Sequence, residues 1–154
     1  MRLNSLASVL ALSTALTCAG QPTPAQFDAT QLQDASRFRL VTQTELAKEV
    51  DKLGGGFKGA FAAAGDSWQP TDVLSAGTRL PSGRLIWVAE SNAVRVLHYE
   101  QGGFAHTYHV RVEEIDGTVL KSVWYASTGR YRDYLDFLTA LNAGAINLQL
   151  VFRR

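Results

Sequence analysis

The stretch from Ala93 to Ile115, AVRVLHYEQGGFAHTYHVRVEEI, constrains this chain most, because it reads as one long antiparallel β-hairpin that holds all three histidines. Two apolar runs flank Gln101-Gly102-Gly103. Alternate residues of a strand share a face, so the length of the turn decides which side chains lie together. A two-residue turn mixes apolar and polar side chains on both faces. A three-residue turn over 101–103 gives one apolar face, and this is the register that we predict.

The predicted register brings two histidines and a carboxylate onto the apolar face. His98 lies directly opposite His106, with Cβ atoms about 5 Å apart, and Glu100 lies one step nearer the turn. Zn²⁺ takes such ligands while keeping an open fourth position. The pattern therefore gives the hypothesis of a zinc site formed by His98, His106 and Glu100. The alternatives are histidines that bond to tyrosine or backbone, and a histidine pair that responds to acid.

The opposite face of the hairpin carries a polar, aromatic and cationic set of side chains, which we call the hairpin strip. Its candidate ligand-binding residues are Arg95, Tyr99, His109 and Arg111. Recognition surfaces favour Arg and Tyr, so the strip is a candidate binding surface. The plainer alternative is a solvated sheet face, which antiparallel sheets commonly have.

Residues 1–20 predict a secretory signal peptide rather than part of the fold. Arg2 precedes an apolar stretch, Leu6–Leu16, which is too short to span a bilayer and leads into small residues. The segment Ala15-Leu16-Thr17-Cys18 resembles the lipobox of bacterial lipoproteins, which implies a lipid on Cys18, the only cysteine. The alternative is cleavage just after that cysteine, which discards it. Both interpretations predict an exported protein, periplasmic, anchored in the outer envelope or extracellular, whose folded domain has no disulfide.

Residues 21–35 hold two prolines and four glutamines without an apolar period, which predicts a flexible spacer. Residues 36–154 then predict one domain. Thr42 and Glu45 form a capping-box pattern that opens a helix running to Leu53. A second helix follows a cap at Ser127 or Thr128 and ends at Gly144.

Apolar patterning also predicts strands at 84–89, 119–126 and 146–152 besides the hairpin. Asp116-Gly117 is a strong turn signal between two of them. We therefore predict an α+β domain. It has an antiparallel sheet of about five strands in successive hairpins, with two amphipathic helices packed on one face.

The sequence excludes some functional classes but does not identify a particular function. The net charge is +1, so no basic field favours nucleic acid. Gly65-Asp66-Ser67 resembles an esterase block, but no histidine follows His109 to act as the base. We expect a non-enzymatic, exported or lipid-anchored domain that binds a small molecule or protein partner without a cofactor, and that reaches a membrane only through Cys18. The alternatives are a metal-dependent hydrolase and a structural envelope protein that acts by assembly.

Overall fold

The computed structural model describes residues 25–42, 45, 61–71 and 80–154. The strands are β1 (Arg39–Leu40), β2 (Phe61–Ala62), β3 (Gly83–Glu90), β4 (Val94–Gln101), β5 (Thr107–Asp116), β6 (Val119–Thr128) and β7 (Gln149–Arg153). The helices are α1 (Thr30–Gln33) and α2 (Tyr134–Asn142), and a 3₁₀ turn spans Ala35–Arg37.

The seven strands of the described residues belong to one sheet, in which six follow the order β1-β3-β4-β5-β6-β7 and β2 pairs with β3 off this path. β3 to β7 follow one another in antiparallel pairs. β1 pairs with one end of β3 in antiparallel fashion, whereas β2 pairs with the other end in parallel. The turn at Asp116-Gly117 is confirmed, since β5 ends there and Gly117 has a φ of 59°. No helix of the described ranges is long and apolar enough to cross a membrane.

The predicted α+β class, with about five strands and two packed helices, is wrong. The described residues form a mainly antiparallel sheet of seven strands, and α2 is their only helix of seven or more residues. The helix predicted from Thr42 to Leu53 lies outside the described residues except at its start. There the N–H of Thr42 donates to the carboxylate of Glu45 over 3.0 Å, which is the contact that a capping box requires.

The stretch predicted as a spacer contributes to the core. Phe27 and Leu32 are buried, and both belong to the larger hydrophobic cluster. Phe27 packs edge-on against Trp124 with ring centroids 5.4 Å apart. The core therefore begins before residue 36. The predicted signal peptide, 1–20, and residues 21–24 lie outside the described residues.

Helix α2 packs on one face of the sheet but begins later than the sequence predicts. Ser127 and Thr128 belong to β6, so the predicted cap is wrong. The cap is Asp133, whose side chain accepts a hydrogen bond from the N–H of Asp136 over 2.9 Å. The helix ends at Asn142, shortly before Gly144, as predicted.

The β4–β5 turn is longer than the predicted three residues. Gln101 pairs with Thr107, so residues 102–106 form the turn, and His98 lies opposite Val110 rather than His106. The reason lies in a distant segment: the N–H of Gly102 donates to Ser82 O over 2.8 Å, and a Cβ on Gly102 would stand 2.5 Å from the carbonyl carbon of Pro70. The glycine thus serves a close backbone approach rather than a tight turn.

The register nevertheless keeps the predicted division between the two faces, because the shift is an even number of residues. The larger cluster covers the face that holds α2 and includes Trp87, Val96, Val112, Trp124 and Phe137. The smaller cluster covers the other face and includes Val41, Ala63, Leu85, Leu97 and Tyr99. Both faces of the sheet are therefore buried in their central parts.

Candidate functional site

His98 is fully buried on the α2 face, with both ring nitrogens engaged. Nδ1 contacts the backbone oxygen of His109 at 2.9 Å and therefore carries the proton, while Nε2 accepts from the N–H of Tyr131 at 3.0 Å. Burial, foremost, lowers the pKa of His98 to about 4, with a smaller contribution from Arg130. His98 is thus a neutral histidine that ties the sheet to the segment before α2. This matches the alternative of a histidine bonded to the backbone.

His106 and Glu100 are in contact, as their shared face suggested. The Nε2 atom of His106 lies 2.8 Å from Oε2 of the buried Glu100 carboxylate. The other oxygen, Oε1, accepts from Nε and Nη2 of Arg84, each over 2.6 Å. Trp68 lies beside both partners of Glu100, 5.2 Å from the Arg84 guanidinium and 5.3 Å from the His106 ring. The Glu100 carboxylate therefore joins β3, β4 and the hairpin turn.

The zinc hypothesis requires His98 opposite His106, but His98 lies opposite Val110. Tyr108 lies between the two histidines, with its ring centroid 6.2 Å from that of His98 and 5.0 Å from that of His106. Among the described residues there is no group of three His, Cys, Asp or Glu side chains placed to hold a metal ion. Glu100 and His106 alone supply two ligands, fewer than the three that a catalytic zinc site uses.

The hairpin strip lies on one face, as predicted, but that face is largely interior. Tyr99 and His109 are buried, while Arg95 and Arg111 are mostly covered. Phe61 packs edge-on over Tyr99 with ring centroids 4.9 Å apart. Burial raises the pKa of Tyr99 to about 12. The strip is therefore part of the protein interior rather than an open recognition surface.

The charges of the strip are joined in an ion-pair network around Glu113. Its carboxylate accepts from Nε of Arg111 over 2.7 Å and lies 3.5 Å from Nη1 of Arg95. Arg95 also lies 3.8 Å from Glu90, which in turn pairs with Arg39. The buried Glu113 carboxylate thus lies between two guanidinium groups, which oppose its negative charge. The network links β1, β3, β4 and β5.

His109 completes the strip through a chain of hydrogen bonds. Its Nδ1 atom lies 2.5 Å from the hydroxyl of Tyr125, and its Nε2 atom lies 2.8 Å from Oγ1 of Thr107. Burial lowers the pKa of His109 and raises that of Tyr125. Both ring nitrogens are thus used within the chain, and His109 is left without a free nitrogen for a ligand.

An apolar groove opens elsewhere, where the 3₁₀ turn and β1 meet the start of α2. It has a volume of about 310 Å³ and is lined by Ala35, Phe38, Leu40, Asp133, Tyr134 and Leu135. Leu40 is 52% exposed on one wall and Leu135 is 63% exposed on the other. Exposed apolar side chains that line a concavity are typical of ligand-binding grooves.

The walls of the groove are held in place by contacts below the rim. The Tyr134 hydroxyl donates to Leu32 O over 2.9 Å, and burial raises the pKa of that hydroxyl. The rings of Phe38 and Tyr134 pack with centroids 4.8 Å apart. Asp133 is fixed as the cap of α2. The groove is therefore preformed, and Asp133 is the charged side chain that lines it.

Sequence reasoning did not identify these groove residues as a site. The sequence indicates only that these residues are apolar and belong to regular elements: Phe38 and Leu40 lie on one side of a strand, and Leu135 belongs to an apolar helical pattern. Comparison with known proteins adds no candidate ligand, since no family model, curated protein or solved structure matches the chain.

Proposed function

We propose that this chain is an exported or lipid-anchored binding domain that holds an apolar group of a small molecule or protein partner in the groove between β1 and α2. The observation that supports this most is the pair of exposed leucines, Leu40 and Leu135, on opposite walls of a preformed concavity. Its volume of about 310 Å³ lies at the lower end of ligand pockets. It therefore suits one apolar group rather than a large ligand.

A binding role fits the placement of the polar side chains better than a catalytic one. The histidines and their partners described above are bonded within the chain, and none of them lines the groove. The groove itself is lined by one carboxylate, Asp133, which also caps α2. A lone carboxylate positions or repels a ligand, whereas acid–base or nucleophilic chemistry needs a second group within hydrogen-bond reach.

The groove can be tested with Nile red, a neutral apolar dye whose fluorescence rises in apolar surroundings. We expect the purified domain to bind the dye and Leu135→Glu to weaken binding at least about tenfold, because a charge would have to be desolvated. Val151→Glu is the matched control, since Val151 on β7 is 61% exposed but does not line the groove. No binding by the parent domain, or equal binding by both variants, would contradict the proposal.

The cellular part of the proposal rests on residues 1–20 and on Cys18. Radiolabelled palmitate fed to expressing cells tests it, with Cys18→Ser as the control. Label that depends on Cys18 supports a lipid-anchored protein. Unlabelled protein that is shortened at its N-terminus and found outside the cytoplasm supports an exported, released one. Full-length protein retained in the cytoplasm would contradict both forms.

A further inference from the structure

The edge of the sheet beside the groove is formed by β1. β1 pairs with β3, and the part of the chain that the structure describes places no second strand next to it. Because the N–H of Val41 donates to Val88 O over 2.9 Å, residues 41 and 88 are a hydrogen-bonded pair. Hydrogen-bonded and non-bonded pairs alternate in an antiparallel ladder, so the next pair, Leu40 with Ala89, is non-bonded. The N–H and C=O of Leu40 therefore point away from β3.

The side chain of the same residue lines the groove. One residue thus offers a backbone donor, a backbone acceptor and an apolar wall. An extended peptide laid along β1 would exchange both backbone hydrogen bonds with Leu40 and direct alternate side chains to one side. A small molecule would use the groove but leave the backbone groups of Leu40 to solvent.

The charge at the groove indicates which kind of peptide side chain would bind there. Among the residues that line the groove, Asp133 is acidic and none is basic. The Oδ1 atom of Asp133 accepts from the N–H of Asp136, so its carboxylate is fixed in position at the start of α2. A basic side chain next to the apolar one complements this charge, whereas an acidic one would be repelled.

We propose that the partner of this domain is an extended protein segment with an apolar side chain beside a Lys or Arg, which adds to the sheet at Leu40, seats the apolar side chain in the groove and pairs the basic side chain with Asp133. This inference rests on the proposed function, because it names the occupant of the same groove. It commits to a peptide rather than to a free apolar small molecule.

Backbone recognition can be tested without knowing the register. The probe is the capped peptide acetyl-Lys-Val-Leu-Val-amide, compared with two analogues that carry one N-methyl group on neighbouring residues. Neighbouring N–H groups of an extended chain point to opposite sides, so only one analogue loses a hydrogen bond to Leu40. We expect that analogue to bind at least about tenfold more weakly and the other to match the parent peptide. Equal affinity of all three peptides would overturn the inference.

Variants of the domain give the complementary test. Leu40→Pro removes the outward N–H, and proline is accepted on edge strands at such positions, while Leu40→Ala shortens the side chain and keeps the donor. We expect the proline variant to bind the peptide about tenfold more weakly than the alanine variant, with equal Nile red binding by the two. Equal peptide binding by the two variants would count against strand addition.

The charge contribution is tested with Asp133→Asn, which retains a good helix cap. We expect it to weaken binding of the lysine peptide about fivefold and to leave a peptide with norleucine in place of lysine unchanged. An equal effect on both peptides would overturn the role of Asp133. If Nile red binds but the lysine peptide does not, this inference fails and the proposed function stands. If Nile red itself does not bind, the proposed function fails.

Discussion

The Nε2 atom of His98 accepts a hydrogen bond from the backbone N–H of Tyr131 at 3.0 Å, so a side chain of the sheet holds the segment that leads into α2. The bond requires neutral His98, because a protonated Nε2 would face the N–H as a second donor.

Because this bond needs neutral His98, we expect the folded domain to lose stability in acid. The pKa of His98 is about 4 in the folded chain, below its ordinary value of 6.5, because burial disfavours the charged ring. The unfolded chain therefore binds the proton more tightly. The stability that neutral His98 contributes is fully present above pH 6.5 and is lost as the pH falls towards 4. The loss in the free energy of unfolding is about 3 kcal/mol. The lowered pKa of His109 acts in the same direction.

Urea unfolding at several pH values between 7.5 and 4 measures this dependence. Carboxylates also titrate in this range, so the informative quantity is the difference between the parent and His98→Gln, which offers an acceptor but does not titrate. We expect the free energy of unfolding to depend less on pH in the variant. Parallel curves for the two proteins would show that His98 is not responsible.

Gly102→Ala should destabilise the domain by about 2 kcal/mol, because the added methyl overpacks the site. A Cβ there would lie 2.5 Å from the carbonyl carbon of Pro70 and from Gln69 O, which are backbone atoms that cannot swing away. Gly129→Ala is the control, since nothing lies within 4 Å of the added atom. We expect a change of less than about 1 kcal/mol there. Thermal unfolding of both variants is the measurement, and equal melting temperatures would contradict the account of the turn.

Glu113→Gln should cost about 3 kcal/mol of stability, because it leaves two largely covered guanidinium groups, Arg95 and Arg111, without the carboxylate between them. The control is Lys121→Gln, which removes the exposed pair between Lys121 and Asp116. Exposed pairs contribute about 0 to 1 kcal/mol, so this variant should unfold almost as the parent does. Chemical denaturation compares the two, and a similar small loss in both would show that the network is not a buried one.

The sequence predicts the faces of the hairpin better than it predicts what surrounds them. Alternation predicts that His98 and Val96 lie on one side and Tyr99 and His109 on the other, and the structure agrees. The predicted turn length is wrong because the backbone of Gly102 lies close to that of Pro70. The sequence of the hairpin itself does not indicate this contact. The predicted fold class is wrong for a related reason, since local patterns do not report how many strands share a sheet.

The groove could not be predicted because it depends on a contact between distant parts of the chain. Phe38 and Tyr134 are separated by almost 100 residues, and their packing creates the concavity. Leu135 fits the apolar stripe of α2, so the sequence predicts that it is buried, yet it is largely exposed at the groove. A residue that fits the pattern of the core but lies outside it becomes visible only in the structure.

Methyl NMR spectra of the domain, recorded while Nile red is added, test most directly whether the groove is the binding site. We predict that the methyl signals of Leu40 and Leu135 shift together and saturate at one dye concentration, while the exposed methyls of Val151 on β7 stay in place. Shifts confined to Val151, or spread evenly over exposed methyls, would contradict the account.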